Sequence, residues 1–232
     1  MIEIRPSRAR GHADHGWLDT YHSFSFASYF DPQHMGFRAL RVINEDRVAA
    51  GRGFGAHPHR DMEILTYVVS GRLRHEDSMG NGSVIGPGEI QYMSAGSGVV
   101  HSEMNDSDRE AVHLLQIWIE TNEHAAKPRY GQVSHREKIR PGAVIELASP
   151  DGRDGSIAIR QDARMFALHP ESGAAVSLPL ANGRCAWVQC VSGTAKANGV
   201  ALGAGDGASL VRESSLRVES ERAVLLAFDL AD

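Results

Sequence analysis

Apolar positions along the chain come in short runs rather than in a helical rhythm. Ile64–Val69, Val112–Ile119, Ala186–Val191 and Ala223–Phe228 are runs of six to eight residues rich in β-branched, aromatic or leucine side chains. Each is bounded by polar or glycine-containing segments, which is the signature of strands. Sustained 3.6-residue periodicity is weak throughout. Many short strands at close turn spacing predict an all-β protein, a sandwich or a barrel. The segment 120–137 is polar and carries Pro128. It reads as a linker or crossover loop, and it divides the chain into residues 1–130 and 131–232.

The pattern of turns repeats across that division. Tyr67-Val68-Val69-Ser70-Gly71 precedes Gly86-Pro87-Gly88-Glu89, and Gln189-Cys190-Val191-Ser192-Gly193 precedes Gly203-Ala204-Gly205-Asp206. Both halves read strand, glycine hairpin turn, strand, then Gly-x-Gly-acid and another strand.

Composition narrows the function. The 232 residues, 42% of them hydrophobic, suffice for one large or two smaller cores. A net charge of −5 without a basic cluster argues against binding nucleic acid through its phosphates. No run of apolar residues is long enough for a membrane helix, and the first residues lack the apolar core of a signal peptide. Two cysteines, Cys185 and Cys190, fit free thiols in a reducing cytoplasm. Their odd separation puts them on opposite faces of one strand. A monomer is the default expectation.

The candidate chemistry lies in two pairs of equal spacing, His57-Pro58-His59 and His101-Ser102-Glu103. Residues two apart on a strand point to one face. Two such strands facing each other would bring three imidazoles and one carboxylate together. That set suits one divalent first-row transition metal. Sliding the first half onto the second puts Pro179 and Ala181 at the positions of His57 and His59, and Val218 and Ser220 at those of His101 and Glu103. Eleven of the 12 histidines precede residue 136. A single metal in the first half is expected.

The segments Gly51…His57-x-His59-x-x-x-Glu63 and Gly98-x-x-His101-x-x-x-Asn105 resemble the two signatures of the cupin superfamily. Gly96 stands where the second motif usually has proline, and the spacing from Glu63 to Gly71 is one residue longer than usual. The likeness tightens to the pirin family in Arg10-Gly11-His12-Ala13-Asp14-His15-Gly16-Trp17, His57-Pro58-His59-Arg60-Asp61-Met62-Glu63, His75-Glu76-Asp77-Ser78-Met79-Gly80-Asn81, Met93–Gly98, Gln116-Ile117-Trp118 and Pro128-Arg129-Tyr130. These motifs cover most of residues 10–130.

The resemblance implies a bicupin, two jelly-roll-like barrels in tandem, with the metal held in the first by His57, His59, His101 and Glu103. Fe(II) is the foremost metal, with zinc, manganese, nickel, cobalt and copper as alternatives. Many cupins take the carboxylate from the first motif, here Glu63. The pirin pattern takes Glu103, which shares a strand face with His101, and leaves Glu63 to orient a histidine. Bacterial relatives described as quercetinases imply a flavonol 2,3-dioxygenase that consumes O2 and releases CO, with Glu103 as ligand and catalytic base. The alternative is a metal- and redox-sensing regulator that binds a protein partner. His12, His15, His22, His34 and His75 are expected to be hydrogen-bonded structural residues near the mouth. His113 is expected to be a core histidine with a backbone partner.

Overall fold

The computed structural model describes residues 1–232, the side chain of Glu221 excepted. Among these residues there are twenty strands, three single-turn 3₁₀ helices (Ser7–Ala9, Arg136–Lys138, Arg153–Gly155) and no α-helix. No helix is long and apolar enough to cross a membrane. The all-β, two-cupin expectation holds, although neither barrel is closed.

In the N-terminal half, strands Gly53–His59, Val99–Asn105, Leu73–Asp77 and Gly82–Ile85 form a four-stranded sheet in that spatial order. It packs on a seven-stranded sheet whose centre is Glu89–Ser94, Met62–Ser70, Val112–Glu120 and Leu40–Val48. No strand pair joins the two sheets.

The larger sheet is covered on both faces, which explains the unbroken apolar runs. Val112 and Leu114 point toward the smaller sheet and meet Leu73 and Ile85. Leu115, Ile117 and Ile119 point the other way, into a core shared with Met165, Phe228 and Leu230 of the C-terminal half. Each such leucine or isoleucine contributes roughly 1.5–3 kcal/mol by leaving water. That shared core fixes the two halves against each other.

The C-terminal half repeats the topology as one nine-stranded sheet, because Arg184–Ala197 and Ser215–Ala231 run unbroken through both layers. The repeated glycine motifs have structural counterparts. Gly71 and Gly193 are corners rather than hairpin turns: the chain passes there from one layer to the other. Both have positive φ (79° and 76°), and a Cβ would lie 2.9 Å from Val112 Cα at Gly71 and 2.0 Å from Arg222 O at Gly193. The Gly-x-Gly-acid motifs are matching turns. Glu89 accepts a hydrogen bond from the Gly86 N–H, and Asp206 accepts one from the Gly203 N–H, each at 2.8 Å.

Strand pairing crosses the 130/131 division in both directions. Ile2–Arg5 pairs with Gly207–Val211 of the C-terminal sheet, and Arg129–Ser134 pairs with Glu89–Ser94 of the N-terminal one. The segment expected to be a loop therefore contains an edge strand. Its residues are half-buried or exposed, so it lacks the apolar alternation that marks a strand. Cys185 and Cys190 lie on one strand, buried and unpaired.

Candidate metal centre

The hydrogen-bond register places the first two pairs side by side. His101 stands opposite His57, and Val99 opposite His59. On its other flank the same strand sets His101 opposite Asp77 and Glu103 opposite His75. The ring centroids of His57, His59 and His101 are 4.4–4.8 Å apart. His101 is buried and the two first-motif histidines are half-buried at the rim. His57 Nδ1 lies 2.7 Å from Gly55 O. Only a protonated Nδ1 can make that bond, so Nε2 keeps its lone pair for a ligand. His59 Nε2 and His101 Nε2 are 3.0 Å apart.

Potential ligand atoms fall into two overlapping triads, His57/His59/His101 and His75/His101/Glu103, each within 4.8 Å. The three imidazoles singled out from the sequence thus converge. Glu103 lies one step deeper, joined to them through His101. Its carboxylate accepts from Gln116 Nε2 at 3.0 Å and from Thr66 Oγ1 at 3.4 Å, both on the facing sheet.

His75, expected to be a structural residue near the mouth, is instead a fourth imidazole of the cluster. It is fully buried, with Nδ1 3.3 Å from His101 Nδ1. The signal was present: His75-x-Asp77 has the same two-residue spacing as the other pairs.

Glu63 requires a correction, because it orients no histidine. It accepts from Tyr92 Oη, from Ser94 Oγ at 2.7 Å and from the Arg160 N–H at 2.9 Å, which ties the N-terminal sheet to the C-terminal half. Glu63 stands on the sheet face opposite the histidines. Three of the histidines expected near the mouth have carboxylate or amide partners: His12 with Asp19, His22 with Asn44, His34 with Asp31. His113 pairs with Glu45 rather than with backbone. Of the histidines expected near the mouth outside the cluster, His15 and His22 line the cavity described below.

Burial and the neighbouring imidazoles depress two of the three, His59 to about 4 and His101 to about 2. They are therefore neutral near pH 7, the state that binds a metal. Burial pushes Glu103 up to about 7 and Asp46 up to about 6. A cation would reverse that penalty on Glu103. Nitrogens about 2.0–2.1 Å from one ion and meeting at a right angle stand about 3.0 Å apart, the separation of the two Nε2 atoms. The donor set fits one divalent transition metal.

The site opens into a cavity of about 300 Å³. Phe26, Phe54 and Trp118 supply aromatic surface, Thr20, Asn44, Asp46 and Gln116 a polar edge, and His57, His59 and Glu103 line it too. Trp118 packs edge-on against both His59 and Phe26, with centroids at 5.0 and 5.3 Å.

Comparison with known proteins agrees with this architecture. Residues 3–119 match the family model described as Pirin, and residues 146–230 match the one described as Quercetinase C-terminal cupin domain. The chain is 47% identical to a quercetin 2,3-dioxygenase of Escherichia coli (strain K12), over 99% of each chain. It is 40% identical to a pirin-like protein of Caulobacter vibrioides over the whole of both. The crystal structure of the bacterial pirin YhhW from Escherichia coli, in complex with nickel(II), superposes with a TM-score of 0.95 at 44% identity, covering 100% of this chain and 99% of that one. With a family model spanning half its length and full-length relatives above 30% identity, the chain belongs to the pirin family.

Proposed function

We propose that the chain binds one divalent transition metal, Fe(II) foremost, through His57, His59, His101 and Glu103, and that it cleaves quercetin-type flavonols with O2, releasing CO. One observation carries this reading. Three imidazoles and a buried carboxylate lie at the end of a cavity walled by aromatic rings. A flat polyphenol fits such walls, whereas a docking surface for a protein partner would be shallow and open. The name borne by the Escherichia coli relative supports the same substrate class.

A bound metal supplies open coordination positions for O2 and an oxygen donor, and lowers the proton affinity of the donor hydroxyl. The chain's own residues do the rest. Phe26, Phe54 and Trp118 hold the ring system and exclude water. Glu103 takes the 3-hydroxyl proton, being the buried carboxylate with the highest proton affinity beside the histidines. Gln116 fixes the orientation of that carboxylate through its Nε2–H.

The test is quercetin consumption with CO detection by the Fe(II)-loaded protein. Turnover lost in His57→Ala and retained in an exposed control such as Arg109→Ala is expected. Equal turnover by metal-stripped protein would refute the proposal.

A further inference from the structure

Behind His101 lies a hydrogen-bonded chain that the proposed reaction does not use directly. The loop after Leu73–Asp77 wraps the Asp77 carboxylate in donors. Asp77 Oδ1 accepts from the N–H groups of Met79 and Asn81 at 2.9 and 3.0 Å. Asn81 Nδ2 donates to Oδ1 at 3.1 Å and to Oδ2 at 2.9 Å. A carboxyl group surrounded only by donors is an acceptor. His75 Nε2, 3.2 Å from Oδ2, must therefore carry the hydrogen.

The consequence passes along the chain. A neutral imidazole protonated at Nε2 has a bare Nδ1. His75 Nδ1 faces His101 Nδ1 at 3.3 Å, and both side chains are buried. Two bare nitrogens would repel, so His101 Nδ1 carries the proton and donates it. His101 Nε2 is left bare and faces His59 Nε2 at 3.0 Å; by the same argument His59 Nε2 carries the hydrogen of that pair in the metal-free protein.

We propose that Asp77 and His75 are positioning residues that lock His101 in its Nδ1–H tautomer, holding Nε2 ready for the metal. The arrangement is supported from the side. Tyr130 stacks on His75 at 4.8 Å with rings 20° apart, and its hydroxyl donates to Gln91 Oε1 at 3.3 Å. Gln91 Nε2 lies 3.4 Å from His75 Nδ1, and an amide nitrogen can only donate, which again requires a bare His75 Nδ1. This inference rests on His101 being a ligand, but its first test does not.

That test is long-range ¹H–¹⁵N NMR of the metal-free full-length protein near pH 7.5. The expected tautomers are Nδ1–H for His101 and Nε2–H for His75. His101 found as Nε2–H overturns the inference, with no variant required. The second test is the Kd for Ni(II), measured by competition with a chelator. Asp77→Asn should weaken Ni(II) binding by about 10–100-fold, the usual effect of losing a group that orients a ligand, and should shift His101 toward Nε2–H. His75→Gln, which keeps an acceptor in reach of His101 Nδ1–H, should bind Ni(II) more tightly than His75→Leu. An unchanged Kd in Asp77→Asn, or equal Kd values for the Gln and Leu variants, also overturns it. A wild type with the expected tautomers that binds no Ni(II) would refute the ligand assignment of the preceding section while leaving the relay intact.

Discussion

The two halves share a topology but fill its interior in opposite ways. In the N-terminal half His101 pairs with His57 on one side and Asp77 on the other. In the C-terminal half Val218 occupies the matching position and pairs with Val176 and Ala197. Counting along the same strands, Leu178 stands for His59 and Ala195 for His75. All of these C-terminal residues belong to one buried apolar cluster. The same sheet geometry therefore holds either a polar, histidine-bearing interior or an ordinary core. The difference teaches that the fold does not need the histidines. Their desolvation is a cost that the N-terminal half bears for its site, and the C-terminal half shows how the space is filled without it.

The strongest way to break this comparison is to make one half resemble the other. The double variant His57→Val/His101→Val should reduce quercetin turnover to background. It should also weaken Ni(II) binding beyond the 10–100-fold typical of losing an outer partner, with the circular dichroism spectrum unchanged. A folded variant that still binds Ni(II) like wild type would separate the histidines from the metal.

Next in size is a contrast at one topological position. Leu178→Ala should cost about 2–5 kcal/mol of stability by opening a cavity, with Ni(II) affinity unchanged. His59→Ala should cost less than about 1 kcal/mol of stability in the metal-free protein, because it relieves a buried imidazole, yet it should weaken the metal. Denaturant midpoints and chelator competition measure both.

A pH dependence confined to the N-terminal half is third. Glu103 sits at about 7 in the folded chain against 4.5 in the unfolded one, so its ionisation opposes folding. Metal-free protein should therefore lose stability as pH rises from about 4.5 to 7. Glu103→Gln should be the more stable by on the order of 2–3 kcal/mol at pH 8. The advantage should vanish below about pH 4.5, and saturating Ni(II) should abolish or reverse it. A constant gap across pH would contradict the burial argument.

The smallest effect expected marks what the halves have in common. Gly71→Ala and Gly193→Ala should each destabilise by roughly 1–3 kcal/mol through the positive φ. Gly193→Ala should be the worse, because its Cβ would approach Arg222 O to 2.0 Å against 2.9 Å for the nearest atom at Gly71.

Much of this was legible in the sequence, and each shortfall has a physical cause. The apolar runs located the central strands, because strands covered on both faces carry no polar alternation. The equal spacing of His57/His59 and His101/Glu103 located the three converging imidazoles and the carboxylate behind them, because the strand period is two. The edge strand Arg129–Ser134 was missed because its half-exposed residues look like loop. The match of Pro179 and Ala181 to His57 and His59 was displaced by three residues. Two of the three come from the turn, which spans only Arg60–Asp61 in the first half but Leu180–Gly183 in the second, and the third from Pro179, which extends the strand one residue beyond Leu178. The conclusion survives, since Val176 and Leu178 bind no metal either. Glu63 was assigned to the histidines because proximity in a motif says nothing about sheet face. Its partner Arg160 is almost a hundred residues away in sequence.

The central claim is one metal, in the N-terminal half, among His57, His59, His101 and Glu103. Anomalous diffraction from crystals of the Ni(II)-loaded protein tests it most directly. The account predicts a single strong peak bonded to those four side chains, and none among Val176, Leu178, Ala195 and Val218. A peak that leaves out Glu103 in favour of His75, a second peak in the C-terminal half, or no peak at all would contradict it.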